Sequence, residues 1–429
     1  MIKKNVLDFK LKRSKEKITA RSGLTLFCEF LNAFKLQSLV NCVMPNTLSN
    51  NGFEAWEYVQ SILLTLYGGG ETLADTREVR NDEALRTICN IKNIPSESSI
   101  GDWLRRMGAR NGGSCMATIN NEMLGKILQK MNITEITLIN DPSMIKAEKR
   151  DAFMTYEGYK GYRPAMIIIQ EIGLIARYEF RDGNDTGRRC EFFKEVFNIL
   201  PSTVKVKLVL MDSEFYDGDI FSLLMKKKID FAIAVSKDTA VMETIRQINS
   251  NEWKQCKDKD GVGLDKEYAE TVHAMNTCHT PFRLVVLRWK DPKDQTKCCY
   301  HAIATNIDEK IPAQEIIWKY NSRSCGENDI KELKNGFGIH RMPCGGFDAN
   351  AVYFGLGVLC HNLFIAQKYL TMPKEFHRKI IKSIRWLLVE VPGKVVITAS
   401  KAVVEVVANV QKFEIFNQMR RKNYDLSIT

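Results

Sequence analysis

Between Glu135 and Val235 the hydrophobic period changes in a fixed order, and that order leaves few folds open. Glu135-Ile-Thr-Leu-Ile-Asn-Asp141 has the apolar run of a strand and ends in an acid. Ala165-Met-Ile-Ile-Ile and Leu174-Ile-Ala-Arg-Tyr-Glu-Phe flank a turn at Glu171-Ile-Gly173 and predict a hairpin. Arg188 to Leu200 has helical spacing and stops at Pro201. Val204 to Asp212 is a second strand ending in an acid, followed by a helix over Ile220 to Lys228 and a strand over Ile229 to Val235. Strand, hairpin, helix, strand, helix, strand is a mixed sheet with right-handed crossovers. Open sheets place their sites beyond strand ends where crossovers diverge, and Asp141 and Asp212 fall at such ends. An Asp at a strand end is commonly a turn former, so neither acid alone identifies a site.

A second stretch supplies partners for these acids. In Tyr320-Asn-Ser-Arg323-Ser-Cys-Gly-Glu327-Asn-Asp-Ile-Lys-Glu-Leu-Lys334, a continuous helix brings Tyr320, Arg323, Glu327 and Lys334 within about 60° of one another. A carboxylate between cations on one stripe suits a metal and a phosphate. The same stripe can be an i,i+4 salt-bridge ladder on a solvated helix, worth about 0.2–0.5 kcal/mol per pair. Two strand-end aspartates and a helix glutamate make a set of hard oxygen donors, which Mg²⁺ or Mn²⁺ prefer. A pair of such ions can activate an attacking oxygen and stabilise a leaving one.

The rest of the chain divides around this centre. A chain of 429 residues is too long for one compact core and predicts about two to four domains. Residues 1–22 form a basic arm, with eight cations against Asp8 and Glu16, either a solvated tail or a strap along a phosphate backbone. Residues 23–130 are mainly helical. Within them Pro95 to Met107 suggests a short helix-turn-helix element capped at Ser99 with Asp102 three residues on, which fits DNA binding or a plain helical bundle. Residues 131–235 form the first part of the sheet core, 236–311 a β-rich insertion, and 312–370 the second part, which carries the stripe. Residues 371–429 form a C-terminal region suited to DNA contact or dimerisation, with two short β runs and a polar tail.

Composition narrows the partner. The formal net charge is +11, which points to an anionic partner, with nucleic acid the leading candidate. Twelve cysteines show no CxxC pair, and six histidines are scattered, so reduced thiols are expected instead of a zinc site or a disulfide framework. No apolar signal segment follows Met1-Ile-Lys-Lys, and the apolar run Ala351 to Ala366 is short for a bilayer and carries His361-Asn362. A buried core helix and an intracellular protein with no membrane contact are the expectations.

The element order is that of the ribonuclease-H-like nucleotidyl-transfer fold, so the expected class is mixed α/β: a ribonuclease-H-like catalytic core with a β insertion and a helical N-terminal domain. Tyr320, Arg323, Glu327 and Lys334 match the Tyr-x2-Arg-x3-Glu-x6-Lys signature of DDE transposases of bacterial insertion sequences, which the chain resembles over roughly residues 20 to 410. Asn335-Gly-Phe-Gly-Ile-His-Arg341, Leu138-Ile-Asn-Asp141-Pro-Ser, Gly158-Tyr-Lys160-Gly-Tyr-Arg163-Pro and Asp212-Ser-Glu-Phe-Tyr also resemble family segments, as do Gly68-Gly-Gly-Glu71 through Asp82 and Ile94-Pro-Ser. The group numbered thirteen-eighty is the most similar. Glu214 departs from the family's Gly, Ser143 from Thr and Tyr159 from His, and Gly326 sits inside the expected helix.

The resemblance implies a cut-and-paste reaction on double-stranded DNA, at terminal inverted repeats and then at a target. Asp141, Asp212 and Glu327 would be catalytic and hold two Mg²⁺ or Mn²⁺ ions. Tyr320, Arg323, Lys334, Lys160 and Arg163 would contact DNA. Trp289, in the insertion, would meet a flipped base. A homodimer on DNA and a bacterial, nucleoid-associated, cytoplasmic location are implied. An inactive DNA-binding relic and a metal nuclease unrelated to transposition are the rival readings.

Overall fold

The computed structural model describes residues 9–46, 52–185, 187–275, 277–398 and 401–428. Residues 1–8 of the basic arm lie outside the described residues. A nine-stranded sheet runs through the molecule in the order 254–257, 263–275, 278–290, 298–305, 230–234, 205–211, 135–142, 165–169, 174–179. Its last five strands are the core. Glu135–Pro142 lies between two kinds of neighbour, parallel to Lys205–Met211 and antiparallel to Ala165–Ile169. Leu174–Glu179 closes the antiparallel meander, and Asp230–Ala234 continues the parallel side. Helices Arg189–Ile199 and Gly218–Lys227 make the two crossovers. This connectivity is the ribonuclease-H-like arrangement expected from the element order, in a mixed α/β chain with helices over its N-terminal part.

The insertion is continuous with the core. Cys298–Thr305 pairs antiparallel with Asp230–Ala234, and Thr305 Oγ1 donates to the Phe231 carbonyl at 2.6 Å. The core and the long hairpin of Gly263–Met275 and Cys278–Lys290 therefore share one hydrogen-bonded sheet.

The apolar run becomes the 24-residue helix Phe347–Leu370, buried on nearly every side. It is long and apolar enough to cross a membrane, but 94% of its most apolar window is buried inside the protein. Helices Ala55–Tyr67, Glu97–Gly108 and Gly112–Lys130 pack on it. Two of its buried polar residues, His361 and Asn362, reach the meander's outer hairpin. Asn362 accepts from Ile175 N–H and donates to Ile175 C=O, each at 2.9 Å, and His361 Nε2 lies 2.9 Å from the Gly173 carbonyl. An exposed strand edge is a liability, and this helix covers it.

Several local expectations change. Helix Glu97–Gly108 is capped by Ser96, whose hydroxyl accepts from Ser99 N–H, so Ser99 lies inside the helix. Its Ile100, Trp103, Leu104 and Met107 are buried in the core, which leaves Asp102, Arg105 and Arg106 on the outside. The polar tail is a helix, Val410–Ile428, held to Leu24–Ala33 by Asn423 donating to Leu26 C=O at 3.1 Å and by the Arg420–Glu29 pair. The cysteines do match the expectation: all twelve are free thiols.

Candidate active site

Asp141 and Asp212 are carried by neighbouring parallel strands. Asn140 is paired with Met211, so the residues that follow, Asp141 and Asp212, emerge side by side at the same sheet edge. Asp212 caps the short turn Ser213–Phe215 by accepting from Glu214 N–H at 3.0 Å, which fixes the direction of its carboxylate.

The signature helix lies over this edge, but it is not one continuous α-helix. Ala313–Asn321 is α-helical, Ser322–Ser324 tightens to a 3₁₀ turn, Cys325–Lys331 is α-helical again, and Glu332–Gly336 widens to a π turn. Ser322 and Ser324 hydroxyls donate back to the Lys319 and Asn321 carbonyls at 2.6 and 3.0 Å, and Gln170 donates to Ser322 Oγ at 2.7 Å. Gly326 has a packing reason: a Cβ there would stand 3.1 Å from Ile139 Cγ2 on the central strand. The missing side chain lets the helix come close to the strand that carries Asp141.

The stripe survives this break. Arg323 reaches across it, with Nη1 3.4 Å from Asp141 Oδ2 and Nη2 3.7 Å from Glu327 Oε1. The Tyr320 ring lies 5.9 Å from the guanidinium carbon and packs against His301 at 5.4 Å between ring centroids. Burial, with smaller contributions from Asp212 and Glu327, raises the Asp141 carboxyl to about 6 against the opposing charge of Arg323. Burial likewise raises Asp212. The electrostatics are those of crowded, partly buried carboxylates, with Arg323 facing Asp141 and Glu327 and with Arg323, Arg163 and Arg189 together opposing the effect of burial on Asp212.

That pattern fits a divalent cation by its chemistry: hard oxygen donors, partly desolvated, with Arg323 standing where positive charge is wanted. Among the described residues, no three His, Cys, Asp or Glu side chains are drawn together closely enough to hold an ion as they stand. Glu327 is the most open of the three acids, with 61% of its side chain exposed, so it has the freedom to close the set.

A family model described as the transposase DDE domain, group 1, matches residues 6–424. The chain belongs to that transposase family. No curated protein matches the sequence. Among solved structures, the piggyBac transposase in a synaptic complex with hairpin DNA is similar at 13% identity and a TM-score of 0.48, over 87% of this chain and 82% of that one.

The remaining residues of interest in this transposase occupy different environments. Tyr320 is buried at 7% exposure and sits behind Arg323, so it supports the guanidinium from within. Lys334 is half-buried in the π turn and donates to the Met144 carbonyl at 2.6 Å and Ser143 Oγ at 3.3 Å. Burial lowers its pKa. It ties the signature helix to the loop after Asp141. Arg163 pairs with Glu214, both side chains being mostly buried. The unusual Glu214 is thus matched by a cation within the chain. Lys160 is half-buried in the short strand Lys160–Tyr162. Trp289 lies on Cys278–Lys290, half-buried, with Lys266 Nζ 5.0 Å from its ring centroid.

Sequence reasoning missed His301. It lies on the neighbouring insertion strand and faces Tyr320, where burial, with Lys237 and Arg323, lowers its pKa. Its only advance signal was a histidine in a strand that would lie next to the core. It also missed Arg385, which donates to the Tyr67, Leu66 and Gly336 carbonyls at 2.8, 2.6 and 2.6 Å. That side chain joins the end of helix Ala55–Tyr67 to the π turn carrying Lys334. Gly338 and Arg341 reinforce the same junction at Glu71.

Proposed function

We propose that this transposase cuts its own element from flanking DNA by phosphodiester hydrolysis and joins the freed 3′-hydroxyl ends to a target. The observation that carries the reading is Arg323 of the signature helix reaching Asp141 and Glu327, beside Asp212 on the neighbouring strand end. Asp141, Asp212 and Glu327 would hold Mg²⁺ or Mn²⁺, which when bound supplies activation of the attacking oxygen and neutralisation of charge on the leaving one. Arg323, poised between two of the acids, would turn to a phosphate oxygen of the cut strand and place that strand along the sheet edge. Tyr320 and His301 wall off the insertion side and keep the guanidinium directed outward. Lys334, fixed on Met144 and Ser143, holds the loop after Asp141 in register with the helix.

Terminal inverted repeats and target DNA as partners, a dimer that brings two ends together, and an origin in bacterial insertion sequences of the thirteen-eighty group belong to the same proposal. It rests on the four-residue signature, the family match and the +11 charge. The test is an excision assay in cells, with a donor plasmid that carries the reading frame and its flanking DNA. Rejoined donor, dependent on the intact chain, is expected; a donor with authentic ends that never loses the element would refute the proposal.

A further inference from the structure

The segment from Ser143 to Pro164 leaves the central strand just after Asp141 and returns at Ala165, which pairs with Pro142. It folds into a small three-stranded flap of Ile145–Lys146, Phe153–Met154 and Lys160–Tyr162. The root of the flap is apolar and buried, through Ile145 and Tyr162. Beyond the root, apolar side chains are open: Phe153, Met154 and Tyr156 are 61%, 50% and 72% exposed. The tip is rigid. Thr155 donates to the Tyr159 carbonyl through both its N–H and its hydroxyl, each at 2.8 Å, and Gly158 takes the left-handed turn at φ 83°.

Cations lie against two of the flap's tyrosines. Lys146 Nζ is 5.6 Å from the Tyr159 ring centroid, and the Arg163 guanidinium is 5.7 Å from that of Tyr156. The flap is tied to both acid-bearing loops. Arg163 pairs with Glu214, two residues after Asp212, and Lys334 bonds the carbonyl of Met144 at the flap's root. Exposed rings at a hydrogen-bonded turn, with cations against two tyrosines and the proposed DNA-cutting centre alongside, match what single-stranded nucleic acid requires. Every base offers a π face for stacking, and every phosphate a charge.

We propose that Phe153 and Tyr156 form a stacking platform for DNA bases unpaired next to the scissile phosphate. This rests on the DNA-cutting reading above. The platform grips single-stranded DNA and adds little to duplex binding, because paired bases have no free faces. Its test uses the full chain and two fluorescein-labelled probes that share one duplex, the first blunt and the second with a short single-stranded tail. Wild type is expected to bind the tailed probe at least tenfold more tightly. Phe153→Ala and Tyr156→Ala should each remove roughly tenfold of that preference. Tyr156→Trp should retain it, and blunt-duplex affinity should be unchanged in all variants. Both sites are exposed, so unaltered melting curves are expected and serve as the folding control. Equal binding of both probes by wild type, or a tail preference that survives the double alanine variant, overturns the platform alone. Binding to neither probe overturns the DNA reading with it. Self-association lost in the alanine variants, without any tail preference, would give the rings to a protein partner and refute the platform.

Discussion

Replacing Asp141 by Asn should stabilise the metal-free protein, and the gain should depend on pH. Asp141 is only 14% exposed, and its carboxyl is raised from 3.8 to about 6 by burial and by the neighbouring acids. A carboxyl whose folded pKa lies above its unfolded one costs nothing well below the unfolded pKa, and its cost grows as pH rises through that value towards the folded one. Integrating the linkage relation between these two pKa values gives about 1 kcal/mol near pH 4.5 and about 3 kcal/mol near pH 7.5. Asn imitates the protonated form and removes that cost. Urea unfolding of wild type and Asp141→Asn in EDTA should therefore show stabilities about 2 kcal/mol further apart at the higher pH. Mg²⁺ should narrow the gap by binding wild type preferentially. Parallel pH profiles for the two proteins, or a variant that is less stable at neutral pH, would show that Asp141 is not held at a cost to the fold.

Three further outcomes follow from the packing around the site. Arg323→Ala should weaken DNA binding and flatten its salt dependence by about one unit of log–log slope, read by anisotropy across a KCl series; an unchanged slope removes its phosphate role. Arg385→Ala leaves three carbonyls without their donor and should cost about 3–5 kcal/mol in urea unfolding, with Arg385→Lys recovering only part; a loss below about 1 kcal/mol would mean that water replaces the bonds. Arg163→Ala strands the mostly buried Glu214 and should cost about 3 kcal/mol, a loss that Arg163→Ala/Glu214→Gln should largely restore. A double variant no more stable than the single one would deny that the pair compensates internally.

Much of this arrangement was legible in the sequence, for physical reasons that differ by element. The core strands announced themselves because strands buried on both faces, such as Ala165–Ile169, read as unbroken apolar runs. The position of the two aspartates was legible too, since Asp141 and Asp212 close the apolar runs of strands that prove to be parallel neighbours. The signature spacing also held, because the helix must present Arg323 and Glu327 to the same edge whatever its local pitch. The pitch itself was not legible. The 3₁₀ turn depends on Gln170 from another strand, and the approach at Gly326 depends on Ile139. Helix Val410–Ile428 was hidden because few of its residues are buried, chiefly Phe416, Met419 and Asn423, too few to mark an apolar stripe. The fates of Arg163 and Lys334 were out of reach for a different reason. Both satisfy partners far away in sequence, Glu214 and the Met144 carbonyl. His301 became visible only once the insertion was seen to extend the core sheet.

The central claim is that Asp141, Asp212 and Glu327 form a metal-dependent DNA-cutting centre. Its most direct test is cleavage of DNA that carries the element's ends, with Mg²⁺ present and products resolved on a denaturing gel, by wild type and by Asp212→Asn. Wild type should cut at the ends, and the variant should bind the same DNA with unchanged affinity but leave both strands intact. Cleavage by Asp212→Asn at the wild-type position and rate would contradict the account.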